Sequence, residues 1–510
     1  MFIKVNSIAI NGLTGTQIDV EVDVSNGMPS FAVVGLGDTA IQESRERVRT
    51  AIKNSGYRFP GTRITVNLAP ATIKKKGGFF DLPIAIGIFG NSFSLNKELL
   101  NKSVFVGELA LDGNLRGVSS ILPSVIFARQ AGFEYIFVPK ENEKEASLIP
   151  GIKVVAEETF DDVIKILLGE KEIRVSESVD ISSYIKENLK ESRFDFKYII
   201  GQEHAKRALL IAASGGHNML MEGPPGSGKT MLSQAYASIL PKLSIDEVIE
   251  ISKIYSVSGL LNDKKPLIFE RPFRKIHHTA STISIIGGGR DSKPGEISLA
   301  HKGVLFLDEF LEFEAKLIET LRQPIEDGEI TINRVNSTYT YPAKFSLIGA
   351  FNPCPCGFFG DKEKLCTCNS SRIAKYRARL SGPILDRIDI FINVPRVKIS
   401  ELESKKVVKE SSEDLRKIVE KAIKIQQKRF QGTQKTYNSE MSNEDIENYC
   451  KLGEKENEFL KNAIERLNLS TRAYFRILKL ARTIADIGDS EDICLSHLAE
   501  AIGYRKGEEM

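Results

Sequence analysis

Gly223-Pro224-Pro225-Gly226-Ser227-Gly228-Lys229-Thr230 fits the pattern G-x-x-x-x-G-K-[ST], and it constrains the fold of this chain more than any other stretch. Glycines at this spacing let the backbone turn so tightly that successive N–H groups converge on a phosphate. The helix that follows adds its positive N-terminus. Such a loop requires a strand before it and a helix after it. Asn218 to Glu222 reads as that strand and Met231 to Leu240 as that helix. Lys229 is then placed to reach the β- and γ-phosphates of a nucleoside triphosphate such as ATP, and Thr230 to give its hydroxyl to Mg²⁺. Further on, the apolar run Val304-Leu305-Phe306-Leu307 ends in Asp308-Glu309. A carboxylate fixed at the end of a buried strand suits catalysis by alignment. Asp308 is expected to hold the magnesium ion, and Glu309 to orient and polarise the attacking water. A second strand, Phe345 to Phe351, ends in Asn352, whose amide either holds the same water or forms the turn before Pro353.

At 510 residues the chain exceeds one ordinary core, so two to four domains are expected. Net charge is only +3, so any contact with nucleic acid must come from local patches rather than a global basic field. Met1-Phe2-Ile3-Lys4-Val5-Asn6 runs straight into a strand-like pattern, unlike a signal peptide. The longest apolar stretch, around Leu82 to Phe93, is far short of the ~20 residues of a membrane span. A cytoplasmic location without membrane attachment follows, and the six cysteines are expected to be reduced or metal-bound.

Strand and helix signals alternate, which predicts an α/β protein. From residue 1 to 169, Ile18–Val24, Ile64–Leu68 and Val104–Leu109 read as strands, and Gln42–Asn54 and Ser124–Gly132 as helices. Residues 170–195 are polar and read as a linker with one short helix near Ile185. An α/β nucleotide-binding region covers 196–397, and a charged, helix-periodic region poor in Gly and Pro covers 398–510. Within 328–341, Glu329-Ile330-Thr331-Ile332 is expected to pair with Thr338-Tyr339-Thr340-Tyr341 across Asn336-Ser337.

Several specific motifs carry a resemblance. Pro272-Phe273-Arg274, His277-His278-Thr279-Ala280-Ser281, Gly287-Gly288-Gly289 and Pro294-Gly295-Glu296-Ile297 lead into Leu305-Phe306-Leu307-Asp308-Glu309. Ala350-Phe351-Asn352-Pro353-Cys354-Pro355-Cys356-Gly357, Arg379-Leu380-Ser381-Gly382-Pro383-Ile384-Leu385-Asp386-Arg387 and Ser470-Thr471-Arg472-Ala473-Tyr474 follow. Over nearly its whole length the chain resembles the magnesium-chelatase-related AAA+ ATPases, and among them the ComM/YifB proteins. The resemblance implies that Asn352 is sensor 1. It makes Arg387 an arginine finger reaching a neighbouring subunit, and Arg472 sensor 2 with Arg476 as a substitute. It implies a hexamer and a C-terminal helical lid. It also makes 281–294 a helix-2 insert and 328–341 a pre-sensor-1 hairpin, two loops that line a DNA-gripping pore in related rings. Arg290, Lys293 and Arg334 are the local cations there, or else ordinary solvated charges. Arg387 could instead form a surface ion pair with Asp386 or Asp389.

Cys354-x-Cys356 and Cys366-x-Cys368 flank a turn-rich stretch. Four soft thiolates suit tetrahedral structural Zn²⁺, although the spacing departs from C-x₂-C knuckles and reduced loop cysteines are the alternative. Cys450 and Cys494 read as small core residues. The adjacent pair His277-His278 has no third ligand at suitable sequence spacing, so packing is expected rather than a metal.

Gly107–Gly113 and Val138–Lys144 resemble the proteolytic domain of Lon, which implies an N-terminal S5/Lon-protease-like α+β domain over 1–169. A Ser-Lys dyad needs a hydroxyl beside a lysine. Between Thr72 and Ser92 there is no Ser or Thr; Phe79-Phe80-Asp81 stands there, and Leu122 falls at the lysine's position. An inactive domain is expected, as in RadA-type recombination proteins, with Lys74-Lys75-Lys76 as a phosphate contact or a solvated loop. The expected function is a ring-forming, ATP-driven DNA motor that branch-migrates recombination intermediates, with branched, single- or double-stranded DNA as partner. A metal-insertion motor like magnesium chelatase, or a nucleotide-gated scaffold, are the alternatives.

Overall fold

The computed structural model describes residues 2–505 except 36–38, 74, 76, 189–193, 263, 290–291, 335–336, 362, 381, 398–409 and 468. Lys74, Lys76 and Arg290 therefore lie outside the described residues, as does the side chain of Arg334. The chain divides into two compact units, Met1–Leu189 with Ser244–Phe269, and Lys190–Leu243 with Glu270–Met510.

The first unit carries a four-stranded sheet in the order Phe2–Asn11, Thr14–Ser25, Arg63–Ala69, Ser30–Val34. A three-stranded parallel sheet follows, with Tyr135–Pro139 between Ser103–Phe105 and Lys153–Glu157. The run expected as one strand over Val104–Leu109 is two short strands, Ser103–Phe105 and Glu108–Leu109, separated by Gly107 at φ 159°. The long apolar stretch becomes the helix Asp81–Gly90, whose ten residues are all buried. No described helix is long and apolar enough to cross a membrane.

Where a dyad would need its nucleophilic hydroxyl, Asp81 is buried, ion-paired to Arg47 at 2.8 Å and hydrogen-bonded by Ser44 Oγ. Leu122 is fully buried. Its backbone N–H donates to Glu145 Oε1 at 3.0 Å, and Ser256 Oγ donates to the same oxygen at 2.5 Å. Ser256 belongs to the helix Ile245–Ser258, which the sequence order places among the ATPase elements but which packs within this unit. Lys75 is buried, with its ammonium donating to the carbonyl of Pro70. That corrects both readings of Lys75, because a cation satisfied by its own loop neither floats in solvent nor greets a phosphate. The stretch expected as a linker is tied in by Ser176 N–H to Val154 O at 2.9 Å and Val179 N–H to Ser147 O at 3.1 Å.

The second unit is built on a five-stranded sheet in the order Phe273–Ile276, Val304–Leu307, Ser346–Phe351, Met219–Glu222, Ile390–Asn393. All four pairings are parallel. Its four inner and far strands are mostly buried and apolar, as parallel strands covered on both faces must be, while the edge strand Phe273–Ile276 carries Arg274 and Lys275 and buries only Ile276. The C-terminal helices Ser412–Arg429, Thr471–Ile487 and Leu495–Gly503 send Leu415, Val419, Ile477, Leu480, Ile484 and Leu498 into the same hydrophobic core as Met219, Ile348 and Ile390. The predicted hairpin forms as Glu329–Arg334 with Ser337–Pro342. Arg334 stands opposite Ser337, so the connection is 335–336, one residue earlier than expected. Tyr341 Oη donates to Ser292 O at 2.8 Å, which fastens this hairpin to the insert 281–294.

Candidate nucleotide site

Parallel strands deliver their carboxyl ends to one edge, and loops leaving that edge build ligand sites. Here that edge gathers Gly223–Thr230 after Met219–Glu222, Asp308-Glu309 after Val304–Leu307, and Asn352 after Ser346–Phe351. Gly228 holds φ 91°, a left-handed conformation that side chains resist, and it opens the helix Lys229–Ile239. Pro225 and Gly226 are exposed at the tip, while Gly223 and Ser227 are buried at the root.

Lys229 Nζ donates to the carbonyls of Gly223 and Pro224 at 2.6 and 2.9 Å and lies 3.4 Å from Asn352 Oδ1. Burial lowers its pKa to about 8, against the raising influence of Asp308 and Glu222. Phosphates would hold this ammonium charged, so binding takes up a proton above that pKa. ATP affinity is expected to be flat below about pH 7 and to weaken by up to about tenfold per unit above pH 8. Calorimetric titration across pH 6.5–9.5 checks this, and an affinity flat to pH 9.5 would refute it.

Thr230 Oγ1 and Asp308 Oδ2 stand 3.4 Å apart. Two hard oxygens sharing an octahedral Mg²⁺ at ~2.1 Å sit about 3 Å apart, so this pair fits the ion with a small adjustment. Lys275, which no sequence motif singles out, places Nζ 2.8 Å from Asp308 Oδ2. Glu309 adopts φ 54°, and its Oε2 lies 2.8 Å from His278 Nδ1 and 3.6 Å from His277 Nε2. The expectation that the histidine pair lacks a third ligand is therefore corrected. Its partner is distant in sequence but adjacent in the sheet, since Ile276 pairs with Leu307.

Asn352 leads directly into the cysteine loop. Cys354, Cys356 and Cys366 bring their sulfurs within 3.3–3.6 Å of one another, and Cys368 joins the group. A tetrahedral thiolate site with ~2.3 Å bonds has sulfur edges of about 3.8 Å, so the donor set fits zinc closely. Burial opposes ionisation of Cys356, yet backbone N–H groups of Phe358 and Thr367 draw it down to about 5. Cys366, although it accepts from the Cys368 N–H, is pushed up to about 12 by desolvation and by the neighbouring sulfurs. One thiolate forms readily and the next resists, which is the repulsion that a cation relieves. A Cβ on Gly357 would meet Pro225 Cδ at 2.6 Å, so the cysteine loop rests on the phosphate loop. Cys450 is buried as expected, but Cys494 is exposed at the start of Leu495–Gly503, its sulfur 3.3 Å from His497 Nδ1. As a helix-capping residue it faces solvent, which corrects the core assignment.

The arginines sort differently from any sequence pairing. Arg387 is buried and bonded to Glu326, so it pairs with neither Asp386 nor Asp389. Those two carboxylates belong to Arg472 and Arg476 respectively. Arg472 is 70% exposed, whereas Arg476 is committed to a buried aspartate, which leaves Arg472 the freer of the two. Arg377 meets Glu222 at 2.9 Å, tying the helix Ser370–Arg377 to the strand before the phosphate loop. Arg274 donates through Nε and Nη2 to the two carboxylate oxygens of Glu296 at 2.5 and 2.7 Å, which accounts for those two motif residues as a brace.

Known proteins resemble this chain along its length. Residues 195–402 match the family described as magnesium chelatase, subunit ChlI, residues 20–142 that described as subunit ChlI of Mg-chelatase, and residues 409–505 the magnesium chelatase subunit ChlI C-terminal family. Competence protein ComM of Haemophilus influenzae is 43% identical across 98% of this chain and 97% of its own. The uncharacterized protein YifB of Escherichia coli is 41% identical across 98% of this chain and 96% of its own. The magnesium-chelatase 38 kDa subunit of Rhodobacter capsulatus is 28% identical over only 31% of this chain and 50% of its own.

Proposed function

This chain belongs to the ComM/YifB family of magnesium-chelatase-related AAA+ proteins, and on that premise we propose that it is a ring-forming, ATP-driven DNA motor that branch-migrates recombination intermediates during uptake of transforming DNA in the cytoplasm. The family is one of ATPases that use ATP and Mg²⁺. The observation that carries the reading is the convergence of Lys229, Thr230, Asp308, Glu309 and Asn352 on one sheet edge, in a chain similar end to end to a competence protein.

In this reading the Gly223–Thr230 loop cradles the phosphates and Lys229 leaves its own carbonyls to meet them. Thr230 and Asp308 hold Mg²⁺, which screens the phosphate charge. Glu309 polarises the attacking water, Asn352 orients it, and Arg387 and Arg472 serve the pocket as arginine finger and sensor 2. A hexamer supplies the trans contact, and the first unit is a Lon-like domain without peptidase chemistry, given Asp81 and Leu122 where the dyad would stand. The metal-insertion reading is weaker, because the Rhodobacter capsulatus chelatase subunit is similar over only 31% of this chain, whereas the competence protein is similar over 98%.

The test is purified protein with ATP and a four-way DNA junction. Strand exchange that requires hydrolysis supports the motor, whereas a junction left intact, with turnover indifferent to DNA, counts decisively against it. We also assign Zn²⁺ to Cys354, Cys356, Cys366 and Cys368. Thiol modification is expected to release about one zinc per chain, and Cys356→Ser/Cys366→Ser to release none. Metal-free protein as purified from zinc-replete medium would remove that assignment.

A further inference from the structure

Two histidines and a carboxylate meet beside the phosphate loop with the donor chemistry of a second kind of metal site. His277 and His278 follow the strand Phe273–Ile276, and Glu309 follows its parallel neighbour Val304–Leu307. Both imidazoles address the same oxygen, Glu309 Oε2, at 3.6 and 2.8 Å, and their rings lie 4.2 Å apart. In a tetrahedral zinc site with ~2.0–2.1 Å bonds, donor atoms stand about 3.4 Å from one another, so the observed separations bracket the required one.

Two further details point to a cation rather than to an ordinary hydrogen bond. His278 Nδ1 is buried and has no partner in hydrogen-bonding geometry, although the carboxylate oxygen is 2.8 Å away. A cation shared between them would satisfy both lone pairs. His277 Nδ1 lies 3.0 Å from Thr279 Oγ1. The Thr279 N–H also donates to Nδ1 at 3.5 Å in the metal-free chain, so metal binding at Nε2 moves the imidazole proton to Nδ1, where it is donated to the Thr279 hydroxyl as outer partners of metal-bound histidines accept it. His277 and Glu309 are 55% and 44% exposed, which gives an ion an entry path.

We propose that His277, His278 and Glu309 form a regulatory site for a borderline divalent cation of the Zn²⁺ class. Imidazole discriminates against Mg²⁺, which prefers oxygen ligands, so the site does not compete for the ion that accompanies ATP. A cation bound there takes Glu309 away from the water and switches hydrolysis off. Binding stands on the geometry alone; the inhibitory effect rests on the proposed role of Glu309.

The experiment uses full-length protein with the cysteine site already filled with zinc. Titration with Co²⁺ alone, without nucleotide, is read by absorption, and Zn²⁺ binding by calorimetry. Wild-type protein is expected to take one equivalent more than His277→Asn/His278→Asn, with cobalt bands that lack thiolate charge transfer. Thr279→Val keeps the stoichiometry and binds about 10–100-fold more weakly. With Mg²⁺ and ATP present, added Zn²⁺ lowers wild-type turnover at least about tenfold and leaves the double variant at its own metal-free rate. Equal stoichiometry in wild type and double variant overturns the site. Extra metal bound with turnover unchanged overturns the switch, while an inactive wild type that still binds the extra metal places the failure in the ATPase reading.

Discussion

Arg387→Ala is expected to lower ATP turnover by about 10³- to 10⁵-fold while leaving nucleotide affinity nearly unchanged. The segment Asp386-Arg387-Ile388-Asp389 is held on both sides of the arginine. Asp386 binds Arg472, and Asp389 binds Arg476 and stands 3.3 Å from His217 Nδ1. Arg387 itself lies against Glu326, with its backbone carbonyl accepting from Asn218 Nδ2 at 3.2 Å. To extend, a guanidinium so placed must leave Glu326 and its other contacts, while its backbone stays fixed. On the proposed reading its target in a ring is a neighbour's γ-phosphate, so affinity in the chain's own pocket is expected to be spared. Mixing Arg387→Ala chains with Lys229→Ala chains is the direct check. Each variant is inactive alone, and the mixture recovers turnover because intact pockets meet intact arginines. Single-variant turnover within tenfold of wild type, or a mixture as silent as its components, would exclude an arginine acting in trans.

The residues that converge at the candidate nucleotide site could be picked out because their chemistry is local in sequence. A phosphate loop needs glycines at fixed offsets, and a buried strand ending in two acids announces itself by an apolar run meeting charge. The parallel order of the sheet was not legible. Nothing in Phe273–Ile276 says that it lies beside Val304–Leu307, so neither Lys275 on Asp308 nor the histidine pair on Glu309 could be anticipated. Ion pairing failed for the same reason. Asp386 and Asp389 are the nearest acids to Arg387 along the chain, but the fold gives them to a helix more than eighty residues away. The helix Ile245–Ser258 also escaped a linear reading, because chain order assigned it to the ATPase elements while its packing assigns it to the first unit. Burial of Lys75 and exposure of Cys494 show that residue type alone does not set solvent contact.

Asp389→Ala is expected to destabilise the second unit by about 3 kcal/mol, the lower end of the cost of removing one partner from a buried ion pair. Asp389 is 3% exposed and accepts from Asn218 N–H at 3.2 Å besides facing Arg476 and His217. His217 Nε2 lies 2.8 Å from Thr483 Oγ1, so the same carboxylate joins the sheet to the helix Thr471–Ile487. Without it, the Arg476 guanidinium is left without its partner in a poorly solvated place, and His217 Nδ1 loses its neighbour. Arg476 keeps 25% of its side chain in water, which moderates the cost. Burial alone would raise the carboxyl pKa, but Arg476 and His217 outweigh it and hold the group well below the usual carboxylate range. A depressed folded pKa contributes stability in full above the unfolded value of about 3.9 and loses it as pH falls toward the folded value. The gap between wild type and Asp389→Ala should therefore stay constant from pH 5 to about 8 and begin to close only below about pH 4. Denaturant unfolding followed at several pH values measures that gap, and adding Arg476→Met should recover part of the loss by removing the stranded charge. A variant as stable as wild type at pH 7, or a gap that widens in acid, would show that Arg476 and His217 do not depend on this carboxylate.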